Sequence, residues 1–284
     1  MTGIRFATPE IGYLYGALYG TSPLMITTDG GMSWSVEPGL FTVALDVSGG
    51  EAMRVISPHA GCPGPCDMAI EVAPLGSNDW TTVLDPLPTF QNGADLVRQG
   101  ADVYALFPAN PVGGAASTQD VDLYISQDGG SLWRHEEDPC GYTGTIPDDA
   151  VSIAAAPQGV LAVLCVRRPE DSDFLIVSTN AGATYGRPST IPLQLPNQIA
   201  AASASSLVVA NANSSGSLPF AYQLLHSSDG GIQWQTVVDY HAEVGQVVPE
   251  FLGFENPSDG RWIGPAGTLW TTTDSGARWT PSHF

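Results

Sequence analysis

The chain has 284 residues, 43% hydrophobic and only 13% charged, and its 32 Gly and 23 Pro make up about a fifth of it. That composition excludes a coiled coil, a long-helix bundle and a disordered tail, and the length suffices for a buried core in one large domain or two small ones. Nine basic residues, all Arg, face 29 acids at a net charge of −20, which disfavours nucleic acid and anionic membranes; the absence of Lys removes Schiff-base and P-loop chemistry.

At the N-terminus, Met1 to Arg5 lacks a signal-peptide pattern, and the longest apolar run, Gly159 to Val166, is too short to span a bilayer. The first elements expected are four short strands, Ile4 to Phe6, Gly12 to Tyr15, Leu24 to Thr27 and Trp34 to Val36. They are β-branched or aromatic runs bounded by Gly, Pro, Asn and Asp. Between the third and fourth lies Thr27-Thr28-Asp29-Gly30-Gly31-Met32-Ser33-Trp34. That segment returns along the chain at Ser126 to Trp133, Ser178 to Tyr185, Ser227 to Trp234 and Thr272 to Trp279. A worn sixth position ends at Trp80, after Gly76-Ser77-Asn78-Asp79, and has lost the motif Asp. The aromatic positions 34, 80, 133, 185, 234 and 279 fall at a near-constant period, so internal repetition governs the fold.

The local chemistry explains the motif. An Asp or Asn oxygen caps its own turn, Gly supplies a positive φ, the Ser/Thr hydroxyl adds a hydrogen bond and the aromatic packs the hairpin onto its sheet. The last period repeats the strands at Phe251 to Phe254, Arg261 to Ile263, Thr268 to Thr272 and Arg278 to Thr280. Gln198 to Ser205 is Ala-rich and would be helical on propensity alone. Its place in the repeat makes it an innermost strand, where small side chains fit a crowded centre.

Four strands in each of six periods match the blades of a β-propeller. The fold expected is all-β: a six-bladed β-propeller with four-stranded antiparallel blades, a seventh degenerate blade being left open. It is read as one domain over residues 1–284, with blades near 1–38, 39–86, 87–139, 140–189, 190–240 and 241–284.

Four cysteines are an even number in a Lys-free, Gly/Pro-rich chain, which reads as two disulfides and an oxidising compartment. Cys62 and Cys66 bracket a Pro-Gly-Pro turn, and Cys140 and Cys165 would staple the loop before the fourth blade to that blade's second strand. The alternative is four buried thiols. A zinc site lacks a second ligand pair at the right spacing, and the scattered His59, His135, His226, His241 and His283 suggest no metal.

The octapeptide resembles the Asp-box, or BNR, repeat, and the chain as a whole is similar to BNR-repeat propellers such as the sialidase-like and photosystem II assembly factor-like ones. The resemblance implies that Asp29, Asp128, Asn180, Asp229 and Asp274 are structural, on the face opposite the binding site. Function would then lie in loops between the second and third strands of a blade and between blades. Those loops carry His59; Tyr142, Asp138, Asp148 and Asp149; Arg167 and Arg168; and Tyr240, His241 and Glu243.

The expected function is that of an exported, non-catalytic monomer, without cofactor or metal and without nucleic-acid binding or membrane insertion. It would bind a glycan or protein partner at the loop-lined mouth, with Arg167, Arg168, Tyr142, His59 and His241 as ligand contacts. The alternative is a glycoside hydrolase or lyase, in which a pair drawn from Asp138, Asp148, Asp149 and Glu243 flanks a sugar bond, or Tyr240 serves as a sialidase-like nucleophile. Against sialidase activity, the Phe-Arg-Ile-Pro signature is missing, and no motif selects three arginines for a substrate carboxylate. The basic patch expected of the assembly-factor role is also absent.

Overall fold

The computed structural model describes residues 2–16, 24–37, 39–58, 66–89, 94–107, 121–136, 138–141, 148–167, 173–193, 196–212, 220–242, 251–264 and 268–282. They form six antiparallel four-stranded sheets, each built from consecutive strands. These are the blades of a six-bladed β-propeller. The first holds β1 (Thr2–Phe6), β2 (Gly12–Gly16), β3 (Leu24–Thr27) and β4 (Ser35–Glu37), and the second β5 (Phe41–Ser48), β6 (Glu51–Ser57), β7 (Cys66–Pro74) and β8 (Thr81–Thr89). The third holds β9 (Asp95–Gln99), β10 (Asp102–Phe107), β11 (Asp122–Ser126) and β12 (Arg134–Glu136).

In the fourth lie β13 (Asp148–Ala156), β14 (Val160–Arg167), β15 (Phe174–Ser178) and β16 (Ser189–Thr190). The fifth holds β17 (Pro196–Ala201), β18 (Leu207–Ala212), β19 (Phe220–Ser227) and β20 (Gln235–Ala242), and the sixth β21 (Phe251–Phe254), β22 (Gly260–Ile263), β23 (Leu269–Thr272) and β24 (Thr280–Ser282). The Ala-rich segment is a strand through Ala201 and bends over Ala202 to Ser205, so repeat position overrides helix propensity there. Among the described residues each sheet is made of four strands consecutive in the chain.

The chain divides into two compact units, Met1–Glu137 with the first three blades and Asp138–Phe284 with the last three. Within each, the core lies between neighbouring blades. Tyr13, Leu24 and Ile26 of the first blade pack on Leu45 and Ala52 of the second, and Met53, Val55 and Ile70 of the second pack on Leu96, Val103 and Phe107 of the third. In the second unit Ala154, Ala162 and Leu164 meet Ile199, Leu207 and Val209. Val208, Tyr222 and Leu224 meet Trp262 and Trp279 in turn.

The five recurrent turns share one hydrogen-bond pattern. The hydroxyls of Thr27, Ser126, Ser178, Ser227 and Thr272 donate to the Oδ1 of Asp29, Asp128, Asn180, Asp229 and Asp274 at 2.8–2.9 Å. Each hydroxyl also accepts the N–H of the glycine four residues on, at 2.8–3.1 Å. The same Oδ1 accepts the N–H of Ser33, Leu132, Thr184, Gln233 or Arg278 at 2.9 Å. One more N–H ties each turn to the connection between that blade's first two strands, for example Gly30 to the Glu10 carbonyl at 2.8 Å and Ala181 to Gly159 at 2.8 Å. At this last position the backbone is left-handed, and where Gly is replaced, Ala181 (φ 55°) and Ser275 (φ 62°) are held there by those bonds.

Within each blade, alternation of strand direction therefore puts the recurrent turn and the first connection at one end, the turn end. The connections between second and third strands and from blade to blade leave at the other, the loop end.

Candidate functional site

The loop end is where the sequence places function. Asp138 is a turn cap there: its Oδ1 accepts the Cys140 N–H at 2.9 Å, and Gly141 N–H closes on the Asp138 carbonyl at 3.2 Å. Cys140 is bonded to Cys165 of β14, across 25 residues, so the disulfide fastens the segment before the fourth blade to that blade's second strand as expected. Strand register sets Asp148 opposite Arg167 and Asp149 opposite Val166. The side chains of Asp148, Asp149 and Arg167, and His59, Cys62, Tyr142, Arg168 and Glu243 altogether, lie outside the described residues, as does the side chain of Cys66.

Several candidates assigned to loops belong to strands. Asp148 and Asp149 open β13, Arg167 closes β14, and Asp239 to Ala242 are the last residues of β20. The blade strands run to nine residues where packing supports them, so polar residues at a strand's loop end read as loop in the sequence. Tyr240 stands on the outermost strand of its blade, ring edge against Trp270 at 6.4 Å, and Trp270 lies 6.3 Å from Trp262. Trp262 is buried; Tyr240 and Trp270 are half-buried, and the buried Trp270 Nε1 has no hydrogen-bond partner among the described residues. Beside them on β20, His241 and Asp239 are exposed, with Nε2 3.5 Å from Oδ1.

Sequence reasoning missed three polar arrangements. On the innermost strands of the first unit, Arg5 Nη2 meets Asp46 Oδ1 at 2.9 Å, while Asp46 Oδ2 accepts the Arg98 N–H at 2.7 Å, linking β1, β5 and β9. Above them the Tyr15 hydroxyl donates to the Leu45 carbonyl at 3.1 Å. Burial pushes that phenol up to about 12, with Asp46 and Asp95 adding to the shift and Arg5 opposing it.

On the third blade, His135 Nε2 lies 2.6 Å from Asp122 Oδ1, and its ring rests on Tyr124 at 4.9 Å. Between the first and second blades, Arg54 is buried against Glu37 and Glu71 at 2.9 and 2.7 Å. No sequence signal marks the Arg5–Asp46 and Arg54–Glu37 pairs, because their partners come from strands brought together only by blade stacking, whereas His135–Asp122 and Arg54–Glu71 are cross-strand pairs within one blade. Arg54, Arg98 and Arg261 are engaged by Glu37 and Glu71, by Glu51 and by Glu255. Among the described residues no three His, Cys, Asp or Glu side chains are placed to hold a metal ion, and no helix is long and apolar enough to cross a membrane.

The fold thus defines the chain as a six-bladed, all-β propeller. Neither a protein-family model nor a curated protein sequence matches it. Among solved structures it is similar to YCF48 bound to D1 peptide, at 15% identity and a TM-score of 0.56 over 99% of this chain and 80% of that one. It is also similar to Trypanosoma rangeli sialidase in complex with sialic acid, at 12% identity and a TM-score of 0.55 over 94% and 50% of the two chains. A third is Penicillium chrysogenum α-L-arabinanase complexed with arabinobiose, at 13% identity and a TM-score of 0.52 over 87% and 81%. At such identities the likeness is one of fold, shared by binding proteins and hydrolases alike.

Proposed function

We propose that the chain is an exported, non-catalytic β-propeller whose five recurrent turns are Asp-boxes, and that it binds a glycan or protein partner at the loop end. The observation that carries this reading is the aromatic group Tyr240, Trp262 and Trp270 at the loop end of the fifth and sixth blades. The half-buried rings of Tyr240 and Trp270 offer a face on which a sugar ring or an apolar side chain can stack, backed by the buried Trp262. The arginines engaged by carboxylates favour a neutral ligand over an anionic one, as does the net charge of −20. The Cys140–Cys165 disulfide supports export, since such bonds persist in oxidising compartments.

The test is a glycan array and a chromogenic glycoside panel run on one preparation, with Tyr240→Ala beside the wild type. Binding without turnover, lost in Tyr240→Ala while the variant still unfolds cooperatively, is the expected result. Turnover of any glycoside would overturn the non-catalytic reading. Binding that survives Tyr240→Ala would move the site elsewhere on the loop end.

A further inference from the structure

A short polar chain joins the fifth blade to the turn of the sixth. Ser206 lies between β17 and β18, His226 on β19 and Ser275 in the turn after β23. The Ser206 hydroxyl donates to the Ser275 carbonyl at 2.7 Å and lies 3.1 Å from His226 Nε2. A hydroxyl has one hydrogen, and that of Ser206 is committed. Nε2 therefore carries the hydrogen of the second bond, and the neutral ring keeps its lone pair on Nδ1.

Ser275 is gripped from its other side as well. Its N–H donates to the Ser258 carbonyl at 2.9 Å and its hydroxyl to the Pro257 carbonyl at 2.6 Å. The next residue, Gly276, leaves no room: a Cβ there would stand 2.6 Å from Val208 Cγ2 and 3.4 Å from His226 Cδ2. The imidazole, 8% exposed, is thus packed against the turn it helps to seat.

We propose that His226 is an acid-sensitive pin between the fifth and sixth blades, seating the sixth blade's turn while neutral and loosening it when protonated. The groups around it set the direction. Across the sheet it faces Val208 of β18 and Gln235 of β20, neither of them charged. In its own blade's turn, Asp229 directs Oδ1 to the Gln233 N–H at 2.9 Å. From the sixth blade comes Asp274, which favours a charged ring but is itself drawn to Arg278, 3.8 Å away.

Burial outweighs Asp274 and holds the ring below the ordinary histidine value. The unfolded chain therefore takes the proton first. The junction is intact at neutral pH and loses stability as pH falls through about 6.5, where a free histidine titrates.

The test is hydrogen exchange of segments 203–210 and 273–279 at about pH 7.5 and about pH 5, on either side of a free histidine's pKa and corrected for intrinsic rates, with segment 178–185 as internal control. Wild type should lose several-fold of its protection in the first two segments and little in the control. His226→Gln, which keeps a donor without a titrating group, should lose none selectively. Equal losses in both proteins would overturn the proposal. Should His226→Gln fail to fold, NMR titration of the wild-type ring decides: protonation at or above the free-histidine value, or a hydrogen on Nδ1 in the neutral form, also overturns it.

Discussion

The guanidinium of Arg54 sits over the indole of Trp80, 4.0 Å from the ring centroid, and both donate to the same carboxylate, Glu37 of the preceding blade. In the first, third and sixth blades the corresponding indole N–H closes on its own turn, Trp34 on Gly31, Trp133 on Gly130 and Trp279 on Gly276, at 2.9–3.2 Å. The second blade has no motif Asp to build that turn. Its indole is used instead to bind the neighbouring blade.

Arg54 is 6% exposed at its side chain and holds two carboxylates that are themselves largely covered. Arg54→Met should cost about 3–5 kcal/mol in urea unfolding at neutral pH, because Glu37 and Glu71 would stay buried without a counter-ion. Adding Glu37→Gln and Glu71→Gln should recover part of that loss. A cost under about 1 kcal/mol, typical of exposed pairs, would show that the network contributes nothing.

Acid should attack the recurrent turns. The Asp29 carboxyl is held at about 2, first by the Ser33 hydroxyl, then by the Ser33 N–H and the Thr27 hydroxyl. Asp128 and Asp229 also lie below the usual range, chiefly through the N–H groups of Leu132 and Gln233. A depressed folded pKa means stability fully present above the unfolded value of about 3.9 and lost as pH falls toward the folded one.

The fourth blade shows how to remove that dependence: Asn180 Oδ1 accepts the Thr184 N–H, and its Nδ2 donates to the Thr184 hydroxyl, both at 2.9 Å. Asp29→Asn should therefore keep the neutral-pH midpoint and flatten its decline below about pH 4, where carboxylates titrate. Urea midpoints taken along the acid limb test this, and an unchanged slope would refute it.

In the fifth blade the Gly231 carbonyl accepts the Ser189 hydroxyl of the blade before it, and the Trp234 Nε1 is buried without a partner among the described residues. Ser189→Ala frees that carbonyl for the indole. The substitution should stay within about 1 kcal/mol of wild type, one hydrogen bond replacing another. The Trp234 indole resonance should move downfield; a stationary resonance with a larger loss would contradict the exchange.

Reduction of Cys140–Cys165 releases a closed loop with ends 25 residues apart. Chain entropy alone predicts a loss of about 3 kcal/mol. The urea midpoint with and without reductant measures it, and Cys140→Ala should reproduce the loss.

What the sequence made legible is what acts over a short distance. Thr27, Asp29 and Gly31 bond one another within a single turn, so their chemistry can be read from an octapeptide. The strand at Pro196–Ala201 needed the repeat period as well, since its local composition argues for helix. The Arg5–Asp46 and Arg54–Glu37 pairs were illegible, because they form only when separate blades stack. Tyr240 stood out in the sequence for its polar neighbours, yet its ring meets Trp270, 30 residues on, in the next blade.

Because every blade is completed by one continuous stretch of chain, all of its sheet hydrogen bonds can form before the next blade leaves the ribosome. Within each unit a finished blade then presents an apolar face that its successor covers, as Leu45 and Ala52 cover Tyr13, so each unit can assemble in the order of synthesis. A chain stalled within a unit would expose the apolar face of its last finished blade. Its hazard is therefore aggregation through a single uncapped blade, with the blades already made remaining paired.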